Sequence, residues 1–297
     1  MLSTHPRVDV HQHLWPPAFL DALRVRSTPP YVRDWTLHLD GEPPYEVNPA
    51  HHDVDGRADR EHSDDLLVSL SSPLGIEHLS PDEGAPLLDA WHVGAAALPS
   101  PFKAWASVNG HEPNLEDLAR HLTSGFIGLQ IPATLLSTPA ALERLLPVLR
   151  VAEAAGKPVL VHPGPVVAAD EELPSWWPAV VSYPAQLQAT WWAWAAAGRR
   201  SLPQLRICFA AGAGLGPVHH ERFTARGGGN IRIDKCTYVD TSSYGPRGLD
   251  SLIRVLGIDA IVFGSDRPYA GHAAPHYFGE AAQRAVHVTN PRRLLEG

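Results

Sequence analysis

Eight short apolar runs, spread along nearly the whole chain and separated by helix-length segments, constrain the fold more than any other feature. They are Arg7–His11 (RVDVH), Leu66–Ser71 (LLVSLS), Ala104–Val108 (AWASV), Phe126–Ile131 (FIGLQI), Pro158–His162 (PVLVH), Leu205–Ala210 (LRICFA), Thr237–Asp240 (TYVD) and Ala260–Gly264 (AIVFG). Near-continuous apolar runs of this length read as strands buried on both faces. Between them, Ala85–Leu98, Asn114–Leu122, Pro139–Ala155, Ala185–Ala197 and Gly248–Leu256 have helix length, and Gly156 and Gly257 stand where a glycine ends a helix. Strands alternating with helices make a parallel sheet, and eight alternations predict an α/β fold of the (β/α)8 TIM barrel class. The rival, an open doubly wound sheet, calls for a G-x-G-x-x-G after the first strand, and none is present. A chain of 297 residues fits one such barrel, so residues 1–297 are read as a single domain.

Two connections exceed ordinary loops. Ser27–Ser63 follows the first strand and is rich in Pro, His and Asp; Val166–Pro184 follows the fifth and carries Trp176 and Trp177. Both leave the C-terminal ends of strands, the catalytic face of a barrel, where long loops serve as lids or substrate walls.

The ends of three strands carry metal-binding side chains. The first closes in Val8-Asp9-Val10-His11-Gln12-His13, the fifth in Val161-His162-Pro163, and the eighth in Gly264-Ser265-Asp266-Arg267-Pro268. Alternate residues of a strand share a face, so His11 and His13 form a chelating pair at the barrel mouth, with Asp9 expected on the same side and deeper. With 17 histidines in the chain, any one of these is ordinary on its own. Their joint placement on one face is what predicts a site. Three imidazoles and a carboxylate suit one divalent ion, Zn first and Mn, Fe or Co also.

Composition narrows the partners. Lys and Arg number 24 against 32 Asp and Glu, a net charge of −8 without a basic run, which argues against nucleic acid and anionic membranes and leaves a small-molecule substrate. The two cysteines, Cys208 and Cys236, form no C-x-x-C and fit a reducing compartment. Residues 1–7 lack a secretory apolar stretch, and the most apolar window, Trp176–Gly198, is broken by Pro178 and Pro184. A cytoplasmic protein is expected.

The V-D-V-H-Q-H opening, the V-L-V-H-P after a helix, the G-L-G-P-V-H-H-E-R at Gly214–Arg222 and the closing G-S-D-R-P together resemble the amidohydrolase superfamily, in the amidohydrolase-related branch that includes aminocarboxymuconate semialdehyde decarboxylase. That resemblance implies a distorted (β/α)8 barrel, one divalent metal, and His11, His13, His162 and Asp266 as its ligands; a homodimer is common among such proteins. Two departures stand out. The family's histidine at the end of strand six is missing, with Ala211 or a neighbour in its place, and strand four ends in Gln130 where binuclear members carry a bridging lysine. A single metal is therefore expected. His219 or His220 is a candidate substitute for the lost histidine, although adjacent helical residues point apart, so at least one of them belongs to the surface. Asp266 is a candidate proton acceptor as well as a ligand. Arg267 is placed either on a substrate carboxylate or in a salt bridge tying strand eight to the barrel. Trp176 and Tyr244 are candidate substrate-wall residues, and Trp191, Trp192 and Trp194 are read as core or as a subunit contact.

Three functions follow, in this order. The first is a metal-dependent hydrolase in which water attacks an amide, ester or lactone carbonyl. The second is a non-oxidative decarboxylase of a small aromatic or unsaturated acid. The third is a non-catalytic binding protein on the same scaffold.

Overall fold

The computed structural model describes residues 5–168, 170–230, 234–271 and 278–297. Eight parallel strands, numbered in barrel order, form one sheet: β1 (Val8–Gln12), β2 (Asp65–Val68), β3 (Phe102–Ala106), β4 (Gly128–Pro132), β5 (Val159–His162), β6 (Ile207–Phe209), β7 (Thr237–Asp240) and β8 (Ile261–Val262). Each pairs with its neighbours in sequence. The last returns to the first through Val10 N–Phe263 O (2.9 Å), Asp266 N–His11 O (2.8 Å) and a parallel bridge between Gln12 and Arg267. The sheet is thereby closed as a TIM barrel, as the eight apolar runs predict. Helices lie where the sequence places them, at Pro81–Ala96, Leu115–Thr123, Pro139–Ala154, Tyr183–Ala193 and Pro246–Leu256. Gly156 and Gly257 end two of them at φ +61° and +82°, a region that favours glycine.

The core has two layers. Val8, Val10, Leu67, Trp105, Leu160, Cys208, Tyr238 and Val262 pack together, and Leu294 of the C-terminal helix Asn290–Glu296 joins them. The larger cluster takes in Leu66, Val68, Leu129, Ile131 and Phe209 from the strands together with Leu87, Leu142, Leu149 and Leu249 from the helices.

β1 departs from simple alternation. Asp9 is opposite Leu66 but Gln12 is opposite Val68, so β1 spends three residues where β2 spends two. This is a β-bulge, which re-aims the side chains beyond it. Val8 and Val10 fill the core below, and past the bulge His11 and His13 converge on the mouth. Asp9 does not join them as alternation predicts. Its carboxylate takes hydrogen bonds from Ser265 N (3.0 Å), His11 N (3.2 Å) and Gln12 Nε2 (2.8 Å). The Val10 carbonyl at the bulge accepts from the Trp105 indole at 3.0 Å.

The first insertion is not a bare loop. It holds a three-stranded antiparallel sheet, Tyr31–Arg33, Thr36–His38 and Tyr45–Glu46, preceded by the helix Pro17–Val25. The second, described except for Ala169, runs into a helical turn at Pro178–Ser182 that continues as Tyr183–Ala193. No helix among the described residues is long and apolar enough to cross a membrane.

Candidate metal centre and its cavity

At the C-terminal ends of β1, β5 and β8 the structure brings together His11, His13, His162 and Asp266, with one ligand atom from each within 4.8 Å of the others. The three imidazole rings form a near-equilateral triangle, with centroids 5.1, 4.9 and 4.9 Å apart. What lies behind each ring decides what it offers in front. His11 Nδ1 donates to Asp240 Oδ2 at 2.7 Å, His13 Nδ1 to the Ser69 carbonyl at 3.1 Å, and His162 Nδ1 to the Pro163 carbonyl at 2.8 Å. With Nδ1 committed as a donor, each ring turns an Nε2 lone pair inward, the arrangement that fixes histidine for metal ligation. His11 Nε2 and His13 Nε2 are 3.2 Å apart, and Asp266 Oδ1 is 3.5 and 3.1 Å from them. A tetrahedral ion with bonds of about 2.0–2.1 Å would place its ligand atoms about 3.3 Å apart. Converging lone pairs and a carboxylate, all but Asp266 nearly sealed from solvent, fit a divalent cation.

Without an ion, the carboxylates favour a proton on His11 that metal binding would displace. Burial works against a charged His11, but the Asp240 and Asp266 carboxylates outweigh it and push the ring up to about 9. Burial lowers His13, and lowers His162 strongly, the latter helped by its two histidine neighbours. Burial alone would raise Asp266, yet His11 and His13 hold it below the usual carboxylate range. Three rings cannot share this space as cations, and one dication answers all four groups.

Local backbone sets up the site. Asp266 adopts φ +54°, while its N–H donates to His11 O at 2.8 Å. A non-glycine residue in this region costs about 1–2 kcal/mol, here held by the barrel closure. After β6, residues 211–215 all have positive φ, from +43° to +64°. Ala211 N there donates to Asp240 Oδ1 at 2.8 Å, so the strained turn braces the carboxylate that orients His11.

A cavity of about 370 Å³ opens above the four groups. Its walls come from both insertions, including Leu37, Leu39, Pro43 and Tyr45 from the first and Ala179 and Tyr183 from the second. Ala210 and Ala211 line it at the end of β6, where the expected histidine is absent. Gln130 turns elsewhere, donating to the Leu70 carbonyl (2.6 Å) and to Ser72 Oγ (2.5 Å). Among the described residues, no lysine or arginine lines the cavity.

The remaining expectations divide. Tyr244 is on the cavity wall. His219 is exposed on the turn before the helix His220–Ala225 and lies off the wall, so it does not stand in for the lost histidine. His220 accepts from Trp191 Nε1 at 3.2 Å and packs on Trp191 and Trp192. Arg267 forms a salt bridge with Glu61 at 2.8 Å, away from the cavity, the structural alternative of its two readings. Trp176 is 53% exposed and packs on Trp177, because the chain folds into the helical turn at Pro178 and presents Ser175 and Ala179 to the cavity instead.

The sequence reading missed Asp240, Glu42, Tyr183 and Tyr269. Asp240 ends β7 and was open to the same strand-end argument as His162. Tyr269 packs on His13 with ring centroids 5.3 Å apart, three residues past Asp266. Glu42 and Tyr183 come from separate insertions, and only the folded chain joins them.

Comparison with known proteins places this geometry. The chain is 26% identical over 200 residues to 2-amino-3-carboxymuconate-6-semialdehyde decarboxylase of Dictyostelium discoideum, a match spanning 62% of this chain and 55% of that protein, so it covers about half the length of that relative. Its fold is similar to 2,6-dihydroxybenzoate decarboxylase from Rhizobium (TM-score 0.70, 19% identity, 99% of both chains). It is also similar to 5-carboxyvanillate decarboxylase from Novosphingobium aromaticivorans with bound manganese (TM-score 0.71, 16% identity, 99% and 98% of the two chains). A family model described as an amidohydrolase matches residues 8–297, and the chain belongs to the amidohydrolase family, similar within it to the aminocarboxymuconate semialdehyde decarboxylase branch.

Proposed function

We propose that the protein is a divalent-metal-dependent, non-oxidative decarboxylase of a small aromatic or unsaturated acid. The observation that carries this reading is the pairing of a three-histidine, one-aspartate centre with a largely apolar, aromatic-walled cavity. The relatives named above, all decarboxylases, support it. This reverses the order in which the sequence alone ranks hydrolysis and decarboxylation.

His11, His13, His162 and Asp266 would hold the ion, which supplies a Lewis acid for the oxygens of an acidic substrate. The donor set suits several first-row ions. Manganese, present in the similar decarboxylase, is the one we take first, ahead of zinc. The protein does the rest. The walls from Leu37, Leu39, Pro43 and Leu187 form an environment of low polarity. A carboxylate there loses the hydration that favours it over neutral CO2. Without a lysine or arginine on the described wall, an ion held by His11, His13, His162 and Asp266 would be the cationic feature available to an acid. Tyr244 and Tyr269 would offer hydroxyls to the ring substituents, whereas the Tyr183 hydroxyl is already donated to Glu42 Oε1 at 2.8 Å.

The test is CO2 release by manganese- and zinc-loaded protein from a panel containing 2,6-dihydroxybenzoate, 5-carboxyvanillate and simple esters, amides and lactones. Release from an aromatic acid, abolished in Asp266→Ala together with the bound metal, is expected. Turnover of only the esters, amides or lactones would restore the hydrolase reading.

A further inference from the structure

The cavity wall is uneven in charge. His11, His13, His162 and Asp266 would carry a net positive charge with a dication between them, and so suit a carboxylate. Elsewhere the described wall holds no lysine or arginine, and Glu42 is its one carboxyl. A ligand in this space is offered one place for an acid and another for a hydrogen-bond donor.

We propose that Glu42 selects the substrate by charge: the site takes a monocarboxylic acid with an amino group on the side that meets Glu42, and it excludes diacids. This deepens the decarboxylase reading and rests on its placing of the substrate carboxylate at the metal centre.

Three observations place Glu42 for the task. Its Oε1 accepts from the Tyr183 hydroxyl at 2.8 Å, which leaves Oε2 without a protein hydrogen bond among the described residues. A clasp between the insertions needs one acceptor, so the second oxygen and the charge are left for a ligand. Next, Glu42 and the metal centre line the same cavity, and Tyr183 links them. Burial and then Glu42 hold the Tyr183 phenol above its usual range, and Asp266 adds to the rise, so one hydroxyl lies within electrostatic reach of both carboxylates. Finally, the backbone holds Glu42 in place. Gly41, at φ +81°, lies so close to the second insertion that a Cβ there would meet Val166 O at 2.3 Å and Ala168 N at 2.9 Å.

The selection follows from the chemistry of the group. A carboxylate oxygen accepts hydrogen bonds and donates none. Toward an amine, Oε2 makes a charge-assisted hydrogen bond. Toward a second carboxylate it presents like charge, and no described cation on the wall relieves the repulsion. Leu37, Leu39, Pro43 and Leu187 nearby screen both effects less than water does. An attractive and a repulsive element thus act together, as specificity requires.

Binding to manganese-loaded protein tests this without turnover. The probes are benzoates with one meta or para substituent: aminomethyl, which is cationic, methyl, or a second carboxylate. Burial raises the Glu42 carboxyl above its ordinary range, against the lowering effect of the Tyr183 hydroxyl, so calorimetry is run at about pH 8 to keep it ionised. The wild type is expected to bind an aminomethyl compound about tenfold or more tighter than its methyl counterpart, the contribution of a hydrogen bond to a charged group, and the diacid about tenfold or more weaker. Glu42→Gln keeps an oxygen for the Tyr183 hydroxyl but drops the charge. It should bring the three affinities together, with methyl-compound binding and manganese content unchanged. Tyr183→Phe keeps the charge and should keep the order. Equal binding of all three by the wild type, or binding of none, overturns the proposal. So does a Glu42→Gln protein that weakens all three equally, the mark of a clasp. Should Glu42→Gln fail to fold, as melting would show, Glu42→Ser removes the same charge; convergence is expected there too, and an unchanged order overturns the role. CO2 release is followed on the same preparations. Release by a wild type without this preference overturns the proposal and leaves the decarboxylase reading standing. The preference without release from any panel acid removes the decarboxylase reading and supports the role of Glu42 in choosing the ligand.

Discussion

The Asp240 carboxylate is divided between two tasks. Oδ2 accepts from His11 Nδ1 at 2.7 Å, and Oδ1 accepts from Ala211 N, Ser242 N and Ser242 Oγ. Asp240→Asn would keep the shape but could satisfy only one side. With its oxygen toward the Ala211 and Ser242 donors, its amide N–H2 would face the Nδ1–H of His11, and the ring would lose its orienting charge. Partners of this kind contribute about 10–100-fold to metal affinity. That loss is expected in chelator competition with manganese, with little change in the melting of metal-free protein; unchanged affinity would show that His11 needs no such support. His11, His13, His162 and Asp266 were legible in the sequence because each ends an apolar run or lies two residues past its end. Asp240 met the same criterion and was passed over, being the last letter of a run with no histidine. His219 misled because proximity in sequence to the expected position says nothing about which way a turn points. Asp9 misled because a bulge changes parity without leaving a sequence mark.

At the scale of elements, the strands and helices were legible because burial on both faces writes a long apolar signal and helices end at glycine. The three-stranded sheet of the first insertion was not, since strands of two or three residues are too short to establish a period. Nor was the meeting of the two insertions, which depends on where the barrel carries each of them. Gly41 is the point to test it. Gly41→Ala adds a methyl that would lie 2.3 Å from a backbone oxygen, and no rotamer can relieve it. It also forces a non-glycine residue to φ +81°, at about 1 kcal/mol or more. The strain can be released by parting the insertions while the barrel stays intact. The expected result is faster amide exchange in residues 35–47 and 166–183 and a several-fold rise in KM, with exchange in the barrel strands unaltered. Wild-type exchange in both insertions would mean that their contact is incidental to closure.

For the whole molecule, the most telling polar group lies outside the cavity. Glu77 is fully buried between β2 and the helix Pro81–Ala96. Its Oε1 accepts from Ser72 Oγ at 2.5 Å and, at longer range, from Ser107 Oγ and Gln130 Nε2. Its Oε2 and the nearby Gln130 Oε1 are both buried acceptors without a hydrogen bond among the described residues. Burial pushes this carboxyl up to about 7, against the hydrogen bonds that favour its charge. A folded pKa above that of the unfolded chain means that the native state holds a proton the unfolded state releases. Below about pH 4.5 both states are protonated and Glu77 costs nothing through its charge. As pH rises from there to about 7 the unfolded state gains by ionising, stability falls, and beyond about 7 the deficit is constant. A shift of this size corresponds to at most about 3 kcal/mol. Glu77→Gln cannot ionise, so its stability relative to wild type should improve across this window by up to about 3 kcal/mol, whatever constant offset the amide introduces. Denaturant unfolding of both proteins at pH 4.5, 6 and 7.5 measures that difference, and the other titrating groups, the metal centre included, cancel in it. Parallel pH profiles would place the proton on some group other than Glu77, whereas a widening gap would show a barrel that keeps a neutral acid in its wall at a cost in stability near neutral pH.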